Sequence, residues 1–224
     1  KGWDVVNEAL NDNGTLRETR WMQIISEGKP EQRYDHIIKA FEFAQKADPD
    51  VELYYNDYSL ESSRAKCDAA VEIVKVLQER GIRIDGVGIQ LHAGLRNPTP
   101  ESLEYAIQKI ADAGVQVMVT ELDVRTQTRG YRGADPSRVN RQATEDANAA
   151  NEETQRQLAE QYAQIFRTLV KHRDVVTRVT FWGVYDATSW IGGSPLLFDR
   201  NYQPKLAFDA VIEVAREAKA GGNS

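Results

Sequence analysis

The sequence predicts an α/β protein of parallel strands and crossover helices, and three observations carry that prediction. Short β-branched runs alternate with longer stretches of helical periodicity along the chain. Every candidate polar group falls at the carboxyl end of its strand, where (β/α)8 barrels build their sites and open doubly wound sheets bind ligands. The Gly-rich phosphate turn that a nucleotide-binding open sheet carries after its first strand is absent, which favours the barrel.

Residues 2–6 predict the first strand, followed by a loop and then a helix over 31–47 with Tyr34, Ile37, Ile38, Phe41 and Ala44 on one face. Residues 51–55 predict a strand, and 61–80 a helix that Gly81 closes. Residues 85–90 predict a strand, and 100–113 a helix capped by Thr99 and stopped by Gly114. A strand follows over 115–120. Residues 155–172 predict a helix whose Leu158, Tyr162, Ile165, Phe166 and Leu169 make a single stripe. The last strand spans 176–182 and the closing helix 205–219, with the tail after Glu217 expected to fray. Between the fourth strand and its helix, residues 125–151 are rich in Arg, Gln, Asn and Ala without an apolar stripe; they read as an extended loop on the active-site face or as a surface excursion.

Composition narrows the partners. The chain has 224 residues, enough for one domain with a substantial core, with 41% hydrophobic and 28% charged residues. A net charge of −6 argues against nucleic acid, whose phosphates are met by clustered Lys and Arg. The longest apolar runs are too short to span a bilayer. Cys67, the single cysteine, reads as a buried structural thiol within its helix. His36, His92 and His172 are scattered without zinc-ligand spacing.

Two phrases stand out, Trp3-Asp4-Val5-Val6-Asn7-Glu8 and Val117-Met118-Val119-Thr120-Glu121-Leu122-Asp123. Each is an apolar run that ends in a carboxylate, and two carboxylates delivered by separate strands are what acid-assisted displacement at a sugar carbon requires. Alternation along a strand puts Glu8 on a face with Asp4 and Val6, Gln90 with His92, Glu121 with Val119 and Asp123, and Trp182 with Thr180.

Together with Tyr55-Asn56-Asp57-Tyr58, Gly88-Ile89-Gln90-Leu91-His92, Phe181-Trp182-Gly183-Val184-Tyr185-Asp186-Ala187-Thr188-Ser189-Trp190, Pro195-Leu196-Leu197-Phe198-Asp199 and Asn201-Tyr202-Gln203-Pro204-Lys205, these phrases resemble glycoside hydrolase family 10, the endo-β-1,4-xylanases. The resemblance implies a (β/α)8 TIM barrel of which residues 1–224 supply about strands 4 to 8. The first three strands are then expected from an upstream or separate N-terminal segment. It implies a retaining endo-β-1,4-xylanase in which Glu8 is the acid/base and Glu121 the nucleophile. Such a hydrolase would need no metal or cofactor, two carboxyls and water completing its reaction. His92 and Asp123 support the nucleophile, and Asn7 binds the sugar 2-hydroxyl. Gln90, Asn56, Tyr58, Trp182 and Trp190 contact substrate, with Asp4 and Asp57 in the supporting network. Xylan or xylo-oligosaccharide is the expected substrate, and xylan's size points to secretion or the cell envelope. A related two-carboxylate glucanase and a non-catalytic carbohydrate-binding half-barrel are the alternatives. The Gly88–His92 and Phe181–Val184 phrases resemble the xylanases more closely.

Overall fold

The computed structural model describes residues 2–126 and 152–221. In chain order these form β1 (Gly2–Asn7), α1 (Arg20–Ser26), α2 (Asp35–Ala47), β2 (Glu52–Asp57), α3 (Arg64–Glu79), β3 (Gly86–Ile89), β4 (His92–Gly94), α4 (Pro100–Ala111), β5 (Gln116–Arg125), α5 (Glu152–Lys171), β6 (Val176–Phe181) and α6 (Leu206–Gly221). All five strands expected from the sequence are present, and the alternation of strand with helix holds. No helix among the described residues is long and apolar enough to cross a membrane. Residues 127–151, most of the expected long loop, lie outside the described residues.

The chain divides into two compact units. The first comprises Lys1–Leu91, Glu104–Thr120 and Asp174–Val179. In it β1, β2, β3 and the first half of β5 pair in parallel, with Trp3 opposite Leu53, Tyr55 opposite Val87, and Val87 opposite Val117. Nearly all of β2 and all of β3 is buried, as expected of parallel strands covered on both faces. Phe41 from α2, and Ile73, Val74 and Leu77 from α3, pack in that core with almost no exposure. Each such side chain contributes about 1.5–3 kcal/mol on burial, more than any local helix propensity. The α3 helix starts where Ser63 accepts from the Lys66 amide at 3.3 Å. It ends where Gly81, at φ 68°, lets the Ile82 amide turn back to the Leu77 carbonyl. Cys67 is fully buried, and burial pushes its thiol up to about 12.

The second unit comprises His92–Leu103, Glu121–Arg173 and Thr180–Ser224. Here β4 pairs in parallel with the second half of β5, placing His92 opposite Asp123. Leu158, Tyr162, Ile165 and Leu169 of the α5 stripe are buried and Phe166 is half-buried, and the Tyr162 hydroxyl donates to the Pro195 carbonyl at 2.7 Å. Asp186, itself buried, accepts from the Lys205 ammonium at 2.9 Å, from Ser194 Oγ at 2.8 Å and from the Leu196 amide at 2.9 Å. Three sequence phrases are thereby tied at one buried ion pair. Burial draws the Lys205 ammonium down from its ordinary value, while the Asp186 charge opposes that.

Several local expectations are corrected. Strict alternation fails in β1: Asp4 is opposite Tyr54 but Val6 is opposite Tyr55, so Val5 is an extra residue, and Glu8 lies past the strand at φ 56°. Glu8 therefore does not share a face with Asp4 and Val6 by simple parity. Likewise β3 ends at Ile89 and Leu91 adopts φ 62°, so alternation does not relate Gln90 to His92. Trp182 lies one residue beyond β6. The 20–26 stretch is a helix, not loop, capped by Thr19, which accepts from the Met22 amide at 3.1 Å. Its apolar Trp21 and Ile24 are 73% and 70% exposed, so burial periodicity could not reveal it. The helix begun at 31 in the sequence reading starts at Asp35 after a short 3-10 turn, and α6 continues to Gly221 instead of fraying after Glu217.

Candidate active site

In the first unit, Asn7 and Glu8 leave the carboxyl end of β1 and meet side chains from the ends of β2 and β3. The Glu8 amide donates to the Asn56 carbonyl at 2.9 Å, which fixes the backbone at its left-handed conformation. Asn7 Oδ1 accepts from Asn56 Nδ2 at 3.0 Å and from Gln90 Nε2 at 3.2 Å. Its NH2 group is thereby left as a donor on an exposed residue. Asn56 is itself oriented by Thr120 Oγ1, which donates to Asn56 Oδ1 at 2.7 Å. A Cβ on Gly88 would collide with that same amide oxygen, so the network requires glycine there. Gln90 Nε2 also donates to Glu8 Oε1 at 3.1 Å.

Beside this cluster, Asp57, expected in the supporting network, meets a charge that sequence reasoning missed. Lys66, fully buried on α3, places its ammonium 2.9 Å from Asp57 Oδ1, and Asp57 also accepts from the Tyr55 hydroxyl and the Tyr58 amide. Burial raises the Asp57 carboxyl, opposed by Tyr55 and Lys66. Tyr58 does not present a bare hydroxyl: its oxygen accepts from Arg17 Nη2 at 2.8 Å and donates to Asp12 Oδ1 at 2.7 Å. Burial first, and then the Asp12 carboxylate, push its phenol up to about 12. Arg17 was legible only through Asn13-Gly14, a hairpin turn signal that folds Arg17 back until its amide donates to the Ala9 carbonyl.

In the second unit, β5 points Glu121 and Asp123 to one side, and His92 of β4 bridges them. His92 Nε2 lies 3.3 Å from Glu121 Oε2 and Nδ1 lies 3.1 Å from Asp123 Oδ1. Asp123 also accepts from Trp190 Nε1 at 2.7 Å, and the Trp190 ring meets the imidazole edge-on at 5.0 Å. Asp123 is held by both neighbours, and Glu121 is only 14% exposed. Trp182 is 46% exposed, with its amide bonded to the Leu122 carbonyl.

Burial by itself would lower the His92 imidazole, but hydrogen bonds and charge from Asp123 and Glu121 outweigh it and lift it to about 9. At neutral pH the ring is therefore an imidazolium donating to both carboxylates. A group raised in the folded state from 6.5 to about 9 stabilises fully below its unfolded value and loses that contribution as pH rises through its folded value. The shift corresponds to about 3 kcal/mol. We expect His92→Gln to be less stable than the parent by about that much near pH 6 in urea melts, with the gap closing toward pH 10. A constant gap across that window would contradict the ion triad.

Carboxylates set at the carboxyl ends of the strands of a parallel α/β sheet are the arrangement that barrel glycosidases use. The chain belongs to glycosyl hydrolase family 10, whose family model matches residues 1–214. It is 41% identical over 227 residues to endo-1,4-beta-xylanase A of Xylanibacter ruminicola, covering 96% of this chain and 59% of that protein. Among solved structures it is similar to a GH10 endoxylanase from a sugarcane soil metagenome (36% identity, TM-score 0.82, 96% of this chain and 62% of that one). It is also similar to an intracellular xylanase of Thermoanaerobacterium saccharolyticum, solved as a mutant with xylotriose (36% identity, TM-score 0.77, 94% and 57%). The α/β barrel class read from the sequence is thus that of its structural relatives, and the chain spans about three fifths of the length of these proteins.

Proposed function

We propose that this protein is a retaining endo-β-1,4-xylanase that hydrolyses internal bonds of xylan by double displacement. The observation that carries the reading is the Glu121–His92–Asp123 triad at the end of β5: a nearly buried carboxylate aimed by the imidazolium it faces. Glu121 attacks the anomeric carbon while Glu8 protonates the departing glycosidic oxygen. Water, deprotonated by Glu8, then releases the sugar from Glu121. The donor NH2 that Asn7 retains supports its reading as a ligand of the sugar 2-hydroxyl, a bond that tightens in the transition state. The exposed Trp182 and the half-buried Trp190 suit the apolar faces of pyranose rings.

Residues 1–224 act in this reading as the later part of one barrel domain, and an N-terminal segment of the same product or a separate chain supplies the earlier strands. Trp3, Trp21, Ile24 and Phe43, each more than 60% exposed in the first unit, give such a segment apolar surface to cover. Secretion or the cell envelope remains our proposal for its site of action, on the size of xylan. Initial rates on xylan and carboxymethylcellulose test the substrate class. We expect xylan to be preferred by about tenfold or more; preference for the cellulose derivative would make the protein a glucanase.

A further inference from the structure

We propose that Arg17 is a positioning residue for Glu8 that holds a fixed cation beside the charge Glu8 develops as it protonates leaving groups that cannot depart unprotonated. The inference rests on Glu8 being the acid/base of the proposed function. Its warrant is the way the guanidinium is held. Arg17 Nε donates to the Leu10 carbonyl at 2.9 Å and Nη2 donates to the Tyr58 hydroxyl at 2.8 Å. The remaining nitrogen, Nη1, then lies 3.5 Å from Glu8 Oε2. Tyr58 is in turn anchored by Asp12 through its hydroxyl and by the buried Lys66 ammonium, 3.2 Å from its ring centroid. The hairpin that carries Arg17 is closed by the Asn11 amide to the Thr15 carbonyl and by pairing of Leu10 with Leu16. A flexible side chain is thus fixed at several points, with its charge aimed at one carboxylate oxygen.

The two oxygens of Glu8 are treated differently. Oε1 accepts a hydrogen bond from the neutral Gln90 amide at 3.1 Å. Oε2 faces Arg17 at a distance too long for a committed hydrogen bond and close enough for charge attraction. Glu8 is about one third exposed, and in this proposal Oε2 carries the proton that is to be transferred. As the glycosidic C–O bond breaks, that proton passes from Oε2 to the leaving oxygen, which keeps the bonding electron pair. The nucleophile's oxygen takes the carbon, and the carboxylate left on Glu8 finds a fixed cation beside it. Charge that appears only as the proton departs is what a preorganised guanidinium stabilises in the transition state.

The intact protein and its Arg17→Met and Arg17→Lys variants should be compared by kcat/KM on xylotetraose and on 2,4-dinitrophenyl β-xylobioside. The dinitrophenolate leaves without protonation, so its hydrolysis also reports that the site is folded. For Arg17→Met we expect a loss of about 10–30-fold on xylotetraose and under about threefold on the aryl substrate. Arg17→Lys, which keeps the charge, should recover part of the lost xylotetraose activity. Equal losses on both substrates, no loss on xylotetraose, or Lys no better than Met would each overturn the role of Arg17. A parent protein that hydrolyses neither substrate would overturn the xylanase reading and this inference with it.

Discussion

Glu121→Ala is expected to lower xylan hydrolysis by about 10⁴-fold or more while xylo-oligosaccharide binding persists within a few-fold. The size follows from what is removed. Without the carboxylate there is no atom to form the glycosyl bond, and the imidazolium of His92 is left facing a methyl group. Asp123 still holds the other ring nitrogen and Trp190 still bonds to Asp123, so the wall of the site stays built. Binding measured by calorimetry should therefore survive the loss of turnover. Unchanged hydrolysis would eliminate Glu121 as nucleophile, and loss of binding together with hydrolysis would recast it as a structural residue.

Glu8→Ala should produce the second-largest effect, a loss of about 10²–10⁴-fold on xylan that depends on the leaving group. Bond cleavage with a dinitrophenyl leaving group needs no proton, so the first half-reaction should stay fast and the second, which needs Glu8 as base, should become limiting. Added azide, an anion that requires no deprotonation, should then restore turnover on the aryl xylobioside and give a β-xylobiosyl azide. Loss of activity that ignores both leaving group and azide would show that Glu8 acts through the fold. Gln90, Asn7 and Asn56 bond to one another as well as to Glu8 or its backbone, so the variant has a framework to fold upon.

Much of the scaffold could be read along the chain because its signals are local. Gly81 and Gly114 sit at positive φ where the helices were expected to stop, and Ser102 donates to Thr99 Oγ1 at the start of α4. The burial of β2, β3 and β5 follows their apolar runs. The geometry around Glu121 is likewise local: residues two apart on β5 reach the same imidazole. Around Glu8 the local rule fails. An extra residue in β1 and a left-handed backbone at Glu8 are set by pairing with β2, and hydrophobic alternation carries no trace of either.

What the sequence determined by itself was therefore the family and the α/β alternation, because composition, periodicity and motif order are properties of the chain. What only the tertiary structure decided was the company that the charged groups keep. Lys66 with Asp57, Lys205 with Asp186, and Arg17 with Tyr58 and Glu8 come together across separations from nine residues to more than forty. A charge becomes a buried partner or a proton-steering neighbour only through the distance and dielectric that folding imposes, and neither is written in the order of residues.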